Sequence, residues 1–332
     1  MYSTKTKFPV DEPFNSAQNS SEENPSRGIF PPKPIIAEKS QNSLVRSLIS
    51  LFVYALLFYF IFNQNIVYIA AILLVIIVHE MGHFLFMKLF NYSNVKIFIV
   101  PLLGAFTSGK KQKVSQWQLT LIILGGPVSG IIIGSVIFWL NKDLHNETLT
   151  MLASCFLAIN LLNCLPFHPL DGGRLVETLF FKENYIIRLV FGIISIIALT
   201  CIFIFTKSLL LVVIPVMIGL ELFNESKHQK IREYLKQERI NYYTDYENLP
   251  DKDYWLIRDC LIFSFPKKYS SIRAGHYEYS PIEPVIVQQI TAVLQVNLKQ
   301  DLNVFKRILV LLFYIFLFVG PIILVLLNSK SF

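Results

Sequence analysis

The sequence predicts an all-α polytopic membrane protein of about seven transmembrane helices, with a small β element next to a site of ionisable residues. The chain of 332 residues is 53% hydrophobic and 16% charged, whereas soluble domains carry about a quarter charged residues. Its apolar residues are gathered in runs long enough to cross a bilayer. One of these runs contains two histidines and a glutamate, which are costly to bury in lipid and therefore indicate function.

The charge pattern indicates a membrane and excludes nucleic acid as an expected partner. The formal charge is +7, but the basic residues are spread among the loops. Residues 88–118 carry five lysines and no acidic residue, which is typical of a cytoplasmic loop. We therefore expect a multi-pass protein of a bacterial cell membrane, in contact with the lipid bilayer. The four cysteines are isolated and predict no disulfide framework.

Four regions are predicted along the chain. Residues 1–43 are polar and rich in Pro, Ser and Asn, and predict a disordered cytoplasmic tail. Residues 44–223 contain about six apolar runs and predict an intramembrane domain. Residues 224–305 carry eleven basic and eleven acidic residues and predict a small cytoplasmic domain. Residues 306–332 predict a C-terminal transmembrane helix.

The motif His79-Glu80-Met81-Gly82-His83 lies inside the apolar run that begins at Ile66. On a helix the two histidines lie about 40° apart around the axis, so both imidazoles point the same way. Such a pair can hold one Zn²⁺, with Glu80 beside it as the general base. The alternative is two neutral histidines bonded to neighbouring helices beside a protonated Glu80. The spacing of all three residues favours the metal site.

A second motif occupies residues 160–174. Two prolines there prevent a regular helix, and two glycines let the backbone turn sharply. Broken backbone at membrane depth is tolerated only where protein or water lines it. Since the histidines supply two ligands and catalytic zinc typically takes three, Asp171 in this break is a good third metal ligand. An ordinary turn aspartate before two glycines is the alternative.

Two further stretches border these motifs. Residues 95–106 are rich in β-forming residues and are interrupted by Pro and Gly, which predicts a bent strand or hairpin. This is either a surface hairpin or a strand whose free edge pairs with an extended substrate, and both interpretations stay open. The small residues of 125–130 predict close helix packing, which we expect at least as much as a chemical role.

Together these motifs resemble the site-2 protease family, the M50-type intramembrane zinc metalloproteases. The resemblance covers roughly residues 45–180 and rests on three motifs. These are His79–His83, Gly126-Pro-Val-Ser-Gly130, and Asn163-x-x-Pro166-x-x-Pro169-Leu170-Asp171-Gly172. It implies zinc bound by His79, His83 and Asp171, and Glu80 as the catalytic base. It also implies that Asn163 is a catalytic residue that binds substrate or stabilises the oxyanion.

The resemblance further implies that residues 44–223 form a metalloprotease domain that cleaves transmembrane segments of membrane-protein substrates. Such cleavage often follows a first cut by another protease, as in regulated intramembrane proteolysis. Some members carry a PDZ or a CBS module. The loops of this chain are too short for a PDZ domain, and residues 224–305 are too few for a paired CBS module.

Two other functions compete with an intramembrane zinc metalloprotease. A non-catalytic metal-binding membrane protein, such as a transporter or scaffold, would need the ligands but not the base. A membrane anchor for residues 224–305 would carry a vestigial site. The intact Glu80 argues against an inactive protease, and the lack of charged residues across several spans argues against an ion path.

Overall fold

The part of the chain that the structure describes is mainly helical, with two small two-stranded sheets. The computed structural model describes residues 30–35, 52–53, 59, 66–100, 104–111, 113–181, 184–206, 210–295 and 297–329. The helices are α1 (Ile66–Leu89), α2 (Gln116–Leu144), α3 (Glu147–Asn163), α4 (Asp171–Val176), α5 (Tyr185–Thr206), α6 (Leu210–Gln237), α7 (Asp251–Ser264), α8 (Glu283–Val293) and α9 (Val304–Ser329). The strands are β1 (Ser93–Val100), β2 (Gly104–Lys110), β3 (Lys113–Ser115) and β4 (Asn297–Lys299). A π-helical turn, Glu177–Phe181, follows α4.

Four helices in the described part of the chain are long and apolar enough to cross a membrane. They are Ile66–Leu89, Gln116–Leu144, Tyr185–Ile202 and Val304–Leu327. The multi-pass membrane architecture is therefore confirmed, whereas the count of about seven spans is not. Helix α3 is apolar but has 17 residues, and α6 runs from apolar into charged sequence. The predicted span at residues 48–62 lies almost entirely outside the described residues.

Small residues bring α1, α2 and α3 into close contact. A Cβ placed on Gly125 of α2 would lie 2.9 Å from the carbonyl oxygen of Gly82 in α1. A Cβ placed on Gly134 would lie 2.8 Å from the Cβ of Phe156 in α3. Both distances are below what real Cβ atoms show, so only glycine permits this approach. The helix-packing role expected of the small residues in α2 is therefore observed.

Strands β1 and β2 form an antiparallel hairpin with partners from Ser93↔Lys110 to Val100↔Gly104. The expected hairpin is therefore present, although residues 101–103 between the strands lie outside the described range. The side chain of Thr107 in β2 reaches Glu80 of α1, with 2.7 Å between the Thr107 hydroxyl and Glu80 Oε2. The small β element thus lies beside the ionisable residues of α1.

Residues 224–305, called the polar region below, contain a separate hydrophobic core. Buried side chains from the end of α6, from α7 and from α8 form this core, including Tyr254, Trp255 and Ile286. The polar region connects to the membrane helices through the parallel pairing of β3 with β4. The Asp301 carboxylate accepts bonds from the Ser115 hydroxyl at 2.5 Å and the Trp117 amide at 3.0 Å. A carboxylate at the N-terminus of α2 stabilises the exposed amides there.

Residues 30–35 also lie against the polar region. They fall within the stretch for which a disordered tail was predicted, and the rest of that stretch is outside the described residues. The segment contacts side chains and carbonyls of residues 246–279, more than two hundred positions along the chain. At least this part of the N-terminal stretch is therefore held by tertiary contacts.

Candidate active site

Helix α1 presents His79, Glu80 and His83 toward the packed interior. Their exposed fractions are 6%, 5% and 8%. The Nε2 atoms of the two histidines lie 3.2 Å apart, because residues four positions apart share one helix face. The pair therefore offers two ligand atoms directed at one point.

Asp171 completes the cluster as the first residue of α4, directly after the broken backbone of residues 164–170. Its Oδ2 lies 3.0 Å from His79 Nε2 and 3.3 Å from His83 Nε2. The two glycines that follow are helical, and a Cβ on either would collide with the backbone of the break. The glycines therefore allow α4 to pack closely against the broken backbone, and they do not form the sharp turn expected from the sequence.

The three atoms fit a metal ion. Two ligands of a tetrahedral zinc, with bonds of about 2.0–2.1 Å, lie roughly 3.3 Å apart. The Oδ2 of Asp171 is buried and has no hydrogen-bond partner among the described residues, which is costly unless a cation binds there. A Cβ on Gly126 would collide with His83 Nε2 and lie 2.9 Å from His79 Nε2. The glycine therefore keeps the space beside both ligand atoms open.

Polar groups behind the histidines set their orientation. The Nδ1–H of His79 donates to Asn160 Oδ1 at 2.7 Å, and that of His83 donates to the Ile122 carbonyl at 2.7 Å. Donation from Nδ1 leaves the lone pair on Nε2, which is the atom that faces Asp171. The Asn160 amide is itself held by its bond to the Phe156 carbonyl at 2.8 Å. Both imidazoles are therefore preorganised for metal binding.

Glu80 is buried beside the cluster but is not one of the three converging ligands. Its Oε2 accepts a bond from the Thr107 hydroxyl at 2.7 Å, so strand β2 holds the carboxylate. A carboxylate next to a metal site, outside the ligand set, is placed as a general base requires.

Asn163 does not join the cluster through its observed contact. It is half-buried in the last turn of α3, and its amide donates to the Ile159 carbonyl at 3.1 Å. Asn160, one turn earlier, is the asparagine that reaches His79. Its place in an apolar run of the sequence was a usable signal, because a polar side chain among apolar residues needs a partner inside the protein. Thr107 and the Ile122 carbonyl carried no such signal.

His168 anchors the broken segment that leads to Asp171. Its Nδ1 lies 3.0 Å from Glu177 Oε1 and its Nε2 lies 3.1 Å from Glu221 Oε2. Its backbone amide donates to the Ser195 hydroxyl at 3.1 Å. The π-helical turn, α6 and α5 therefore all hold this segment, which fixes the position of Asp171.

Part of this chain is similar to known proteins. Residues 67–142 match peptidase family M50, a range that includes both histidines and Glu80. Stage IV sporulation protein FB of Bacillus subtilis (strain 168) is 27% identical over 114 residues, which are 34% of this chain and 40% of that protein. This chain therefore spans less than half the length of that relative. The resemblance to the site-2 protease family is confirmed.

A solved structure is also similar in part. The site-2 protease from Methanocaldococcus jannaschii aligns with 55% of this chain and 88% of its own chain. The alignment has 19% sequence identity and a TM-score of 0.42.

Proposed function

We propose that this chain, whose residues 67–142 match peptidase family M50, is an intramembrane zinc metalloprotease. It would hydrolyse peptide bonds in or near the transmembrane segments of membrane-protein substrates, as a step of regulated intramembrane proteolysis. The observation that carries the proposal is the convergence of His79, His83 and Asp171 at 3.0–3.3 Å, with Glu80 buried beside them.

Two imidazole nitrogens and one carboxylate oxygen form a donor set that suits zinc and leaves a position open. Zinc, when bound there, lowers the pKa of water and polarises the scissile carbonyl. Glu80 takes the proton of the attacking water and passes it to the leaving amine. The bond from Thr107 holds the Glu80 carboxylate during this exchange.

Substrate would bind in extended form, because the hydrogen bonds of a helix shield its peptide carbonyls. In the described part of the chain β1 pairs along one edge only, with β2, and the other edge offers backbone groups to an extended segment. Phe98 and Phe106 stack at 5.1 Å on this hairpin and are 39% and 44% exposed. Asn163 would donate to the oxyanion.

The finer architecture belongs to the same proposal. Seven spans result if α3, the apolar half of α6 and the run at residues 48–62 cross the membrane together with the four long helices. Residues 1–43 and 224–305 would then lie in the cytoplasm of a bacterial cell, with residues 44–223 as the protease domain and 306–332 as the last span. The lysines of residues 88–118 support this orientation.

The test separates loss of the base from loss of the metal. Glu80→Gln keeps the size of the side chain and removes the base, so zinc should stay bound while hydrolysis falls by about 10²–10⁴-fold. His79→Ala should lose zinc and activity together. Zinc is measured by elemental analysis of the purified full chain. Activity is measured from membrane proteins that accumulate uncut in cells carrying each variant.

The matched control is Glu147→Gln, which makes the same change at an exposed position in the first turn of α3. It should leave both readouts unchanged. A metal transporter or scaffold would give the opposite pattern, in which His79→Ala is impaired and Glu80→Gln is near normal. That result would show that the site binds metal but does not hydrolyse peptide bonds.

A further inference from the structure

The segment Phe30-Pro31-Pro32-Lys33-Pro34-Ile35, called the proline segment, has a restricted backbone. Each proline fixes its own φ, and the residue before each proline is pushed to extended conformations. Residues 30–34 are therefore all limited to conformations near polyproline II. Such a backbone makes no internal hydrogen bonds, so its carbonyls face outward and can be bound by other groups.

The proline segment lies across an aromatic groove on the polar region. The groove consists of Tyr246, Trp255, Tyr277 and Tyr279. Three ring groups donate to proline carbonyls: Trp255 Nε1 to Pro31 at 2.7 Å, the Tyr279 hydroxyl to Pro32 at 2.6 Å and the Tyr246 hydroxyl to Pro34 at 2.7 Å. The ring of Phe30 packs on Tyr277 with centroids 4.9 Å apart. Aromatic grooves of this kind are a recurring way to bind proline-rich peptides.

Lys33 gives the contact a sequence preference. Its ammonium lies 2.8, 2.7 and 2.5 Å from the carbonyl oxygens of Tyr246, Glu247 and Leu249. These three acceptors match the three donors of an ammonium group. The Lys33 amide also donates to Asp251 Oδ1 at 2.8 Å. A planar guanidinium would not match this cup of carbonyls, so lysine is favoured at this place.

The proline segment has the character of a bound ligand rather than of a core element. All buried members of the core beneath it come from residues 231–293, and Phe30 only packs against its surface. The side chain of Ile35 is 94% exposed. No residue of the proline segment is therefore a buried member of this core, although the segment covers two residues that are, Tyr246 and Trp255.

We propose that the aromatic groove is a binding site for proline-rich peptides of the pattern Phe-Pro-Pro-Lys-Pro, and that the proline segment occupies it as an exchangeable ligand within the chain. A partner with the same pattern competes for the groove and releases the N-terminal segment. The groove also adjoins the hairpin, because Glu247 pairs with Lys110 of β2 at 3.3 Å. This site is distinct from the proposed protease site.

The test uses the full chain in detergent and a fluorescein-labelled peptide with the sequence of residues 28–37. In one variant, residues 30–35 are replaced by six Gly and Ser residues, which vacates the groove. This variant should bind one peptide per chain. The unchanged chain should bind it at least about tenfold more weakly, because a tethered ligand competes at high effective concentration.

Matched variants locate the binding. In the vacated chain, Tyr279→Phe removes one donor at a position that is 57% exposed and should weaken binding. Tyr243→Phe, at an exposed position outside the groove, should not. A peptide with Lys33→Ala should bind more weakly than the native sequence. Equal binding of the two peptides, or of the vacated and unchanged chains, would overturn the proposal.

A second measurement does not depend on the vacated chain. The Lys33 amide, which donates to Asp251 Oδ1, should exchange its hydrogen slowly in the unchanged chain, and Tyr279→Phe should accelerate this exchange about tenfold. Exchange that is already as fast as in the free peptide would show that the groove is not occupied. If the vacated chain loses its folded polar region, seen as rapid proteolysis of residues 224–305, the segment is a structural element and the proposal is wrong.

Discussion

Two buried charged clusters in this protein differ in how their polar atoms are satisfied. In the polar region Arg258 and Glu283 are 1% and 4% exposed. Glu283 accepts bonds from Arg258, the Tyr254 hydroxyl and the Ser280 amide. Two further Arg258 donors reach the carbonyls of residues 276 and 278. This network is closed within the chain.

The cluster between the membrane helices is open. Asp171 Oδ2 is buried but has no hydrogen-bond partner in the described structure, and the Nε2 atoms of His79 and His83 face it. Burying a polar group without a partner is costly, whereas a complete network offsets much of that cost. Burial of charge alone therefore does not identify a functional site. A better indicator is a set of buried polar atoms that point at one place and lack hydrogen-bond partners there.

Replacing one buried carboxylate in each cluster by the corresponding amide tests whether the two clusters differ. These two substitutions have the largest expected effects. Asp171→Asn should abolish zinc binding and cleavage but cost the metal-free protein little stability. Glu283→Gln should leave zinc and cleavage intact but destabilise the polar region by about 3–5 kcal/mol, because Arg258 loses its buried partner. Zinc content, substrate cleavage and the proteolysis of thermally unfolded residues 224–305 are measured on both variants. Similar stability losses in the two variants would mean that the Asp171 carboxylate, like that of Glu283, is stabilised by partners within the chain.

Another buried carboxylate, Asp259 in the polar region, should make the stability of that region depend on pH. Burial raises the pKa of Asp259 from 3.8 to about 6, although the Gly275 amide donates to it. The folded state therefore favours protonated Asp259 more than the unfolded state does. The contribution of this carboxyl to stability is fully present below pH 3.8 and is lost as the pH rises to about 6. Asp259→Asn should therefore stabilise the polar region at pH 7 by roughly 3 kcal/mol.

The measurement for Asp259 is the unfolding of residues 224–305 in the metal-free chain between pH 4 and pH 8. The difference between wild type and Asp259→Asn should grow across this range. Glu238→Gln, an exposed change in the same region, is the control and should give a constant difference. A constant difference for Asp259→Asn as well would show that this carboxylate is solvated.

The smallest expected effect comes from Asn160, which holds His79 in place through a hydrogen bond. Asn160→Ala removes the acceptor of His79 Nδ1 and should lower zinc affinity by about 10–100-fold. Asn163→Ala, one turn later on the same helix, should leave zinc affinity unchanged while reducing cleavage. Zinc affinity is measured by competition with a chelating dye. Equal zinc affinities in the two variants would show that Asn160 does not orient His79 for metal binding.

Much of the membrane fold and of the candidate site could be predicted from short stretches of sequence. The apolar runs predicted a multi-pass helical protein, and the spacing of His79 and His83 predicted one shared face. The prolines at 166 and 169 predicted the broken backbone before Asp171, whereas the two glycines after it are helical and do not form the expected turn. The number of spans could not be confirmed, because α3 and α6 depart from the length or composition of a simple span.

The sequence by itself determined what depends on neighbours within about one helical turn. Helix geometry places His79, Glu80 and His83 whatever surrounds them. The tertiary structure alone decided that Asn160 supports His79, that Thr107 holds Glu80, and that residues 30–35 return to the aromatic groove. These contacts join residues from 27 to more than 200 positions apart. No local periodicity encodes such pairs, because they depend on how separate elements pack.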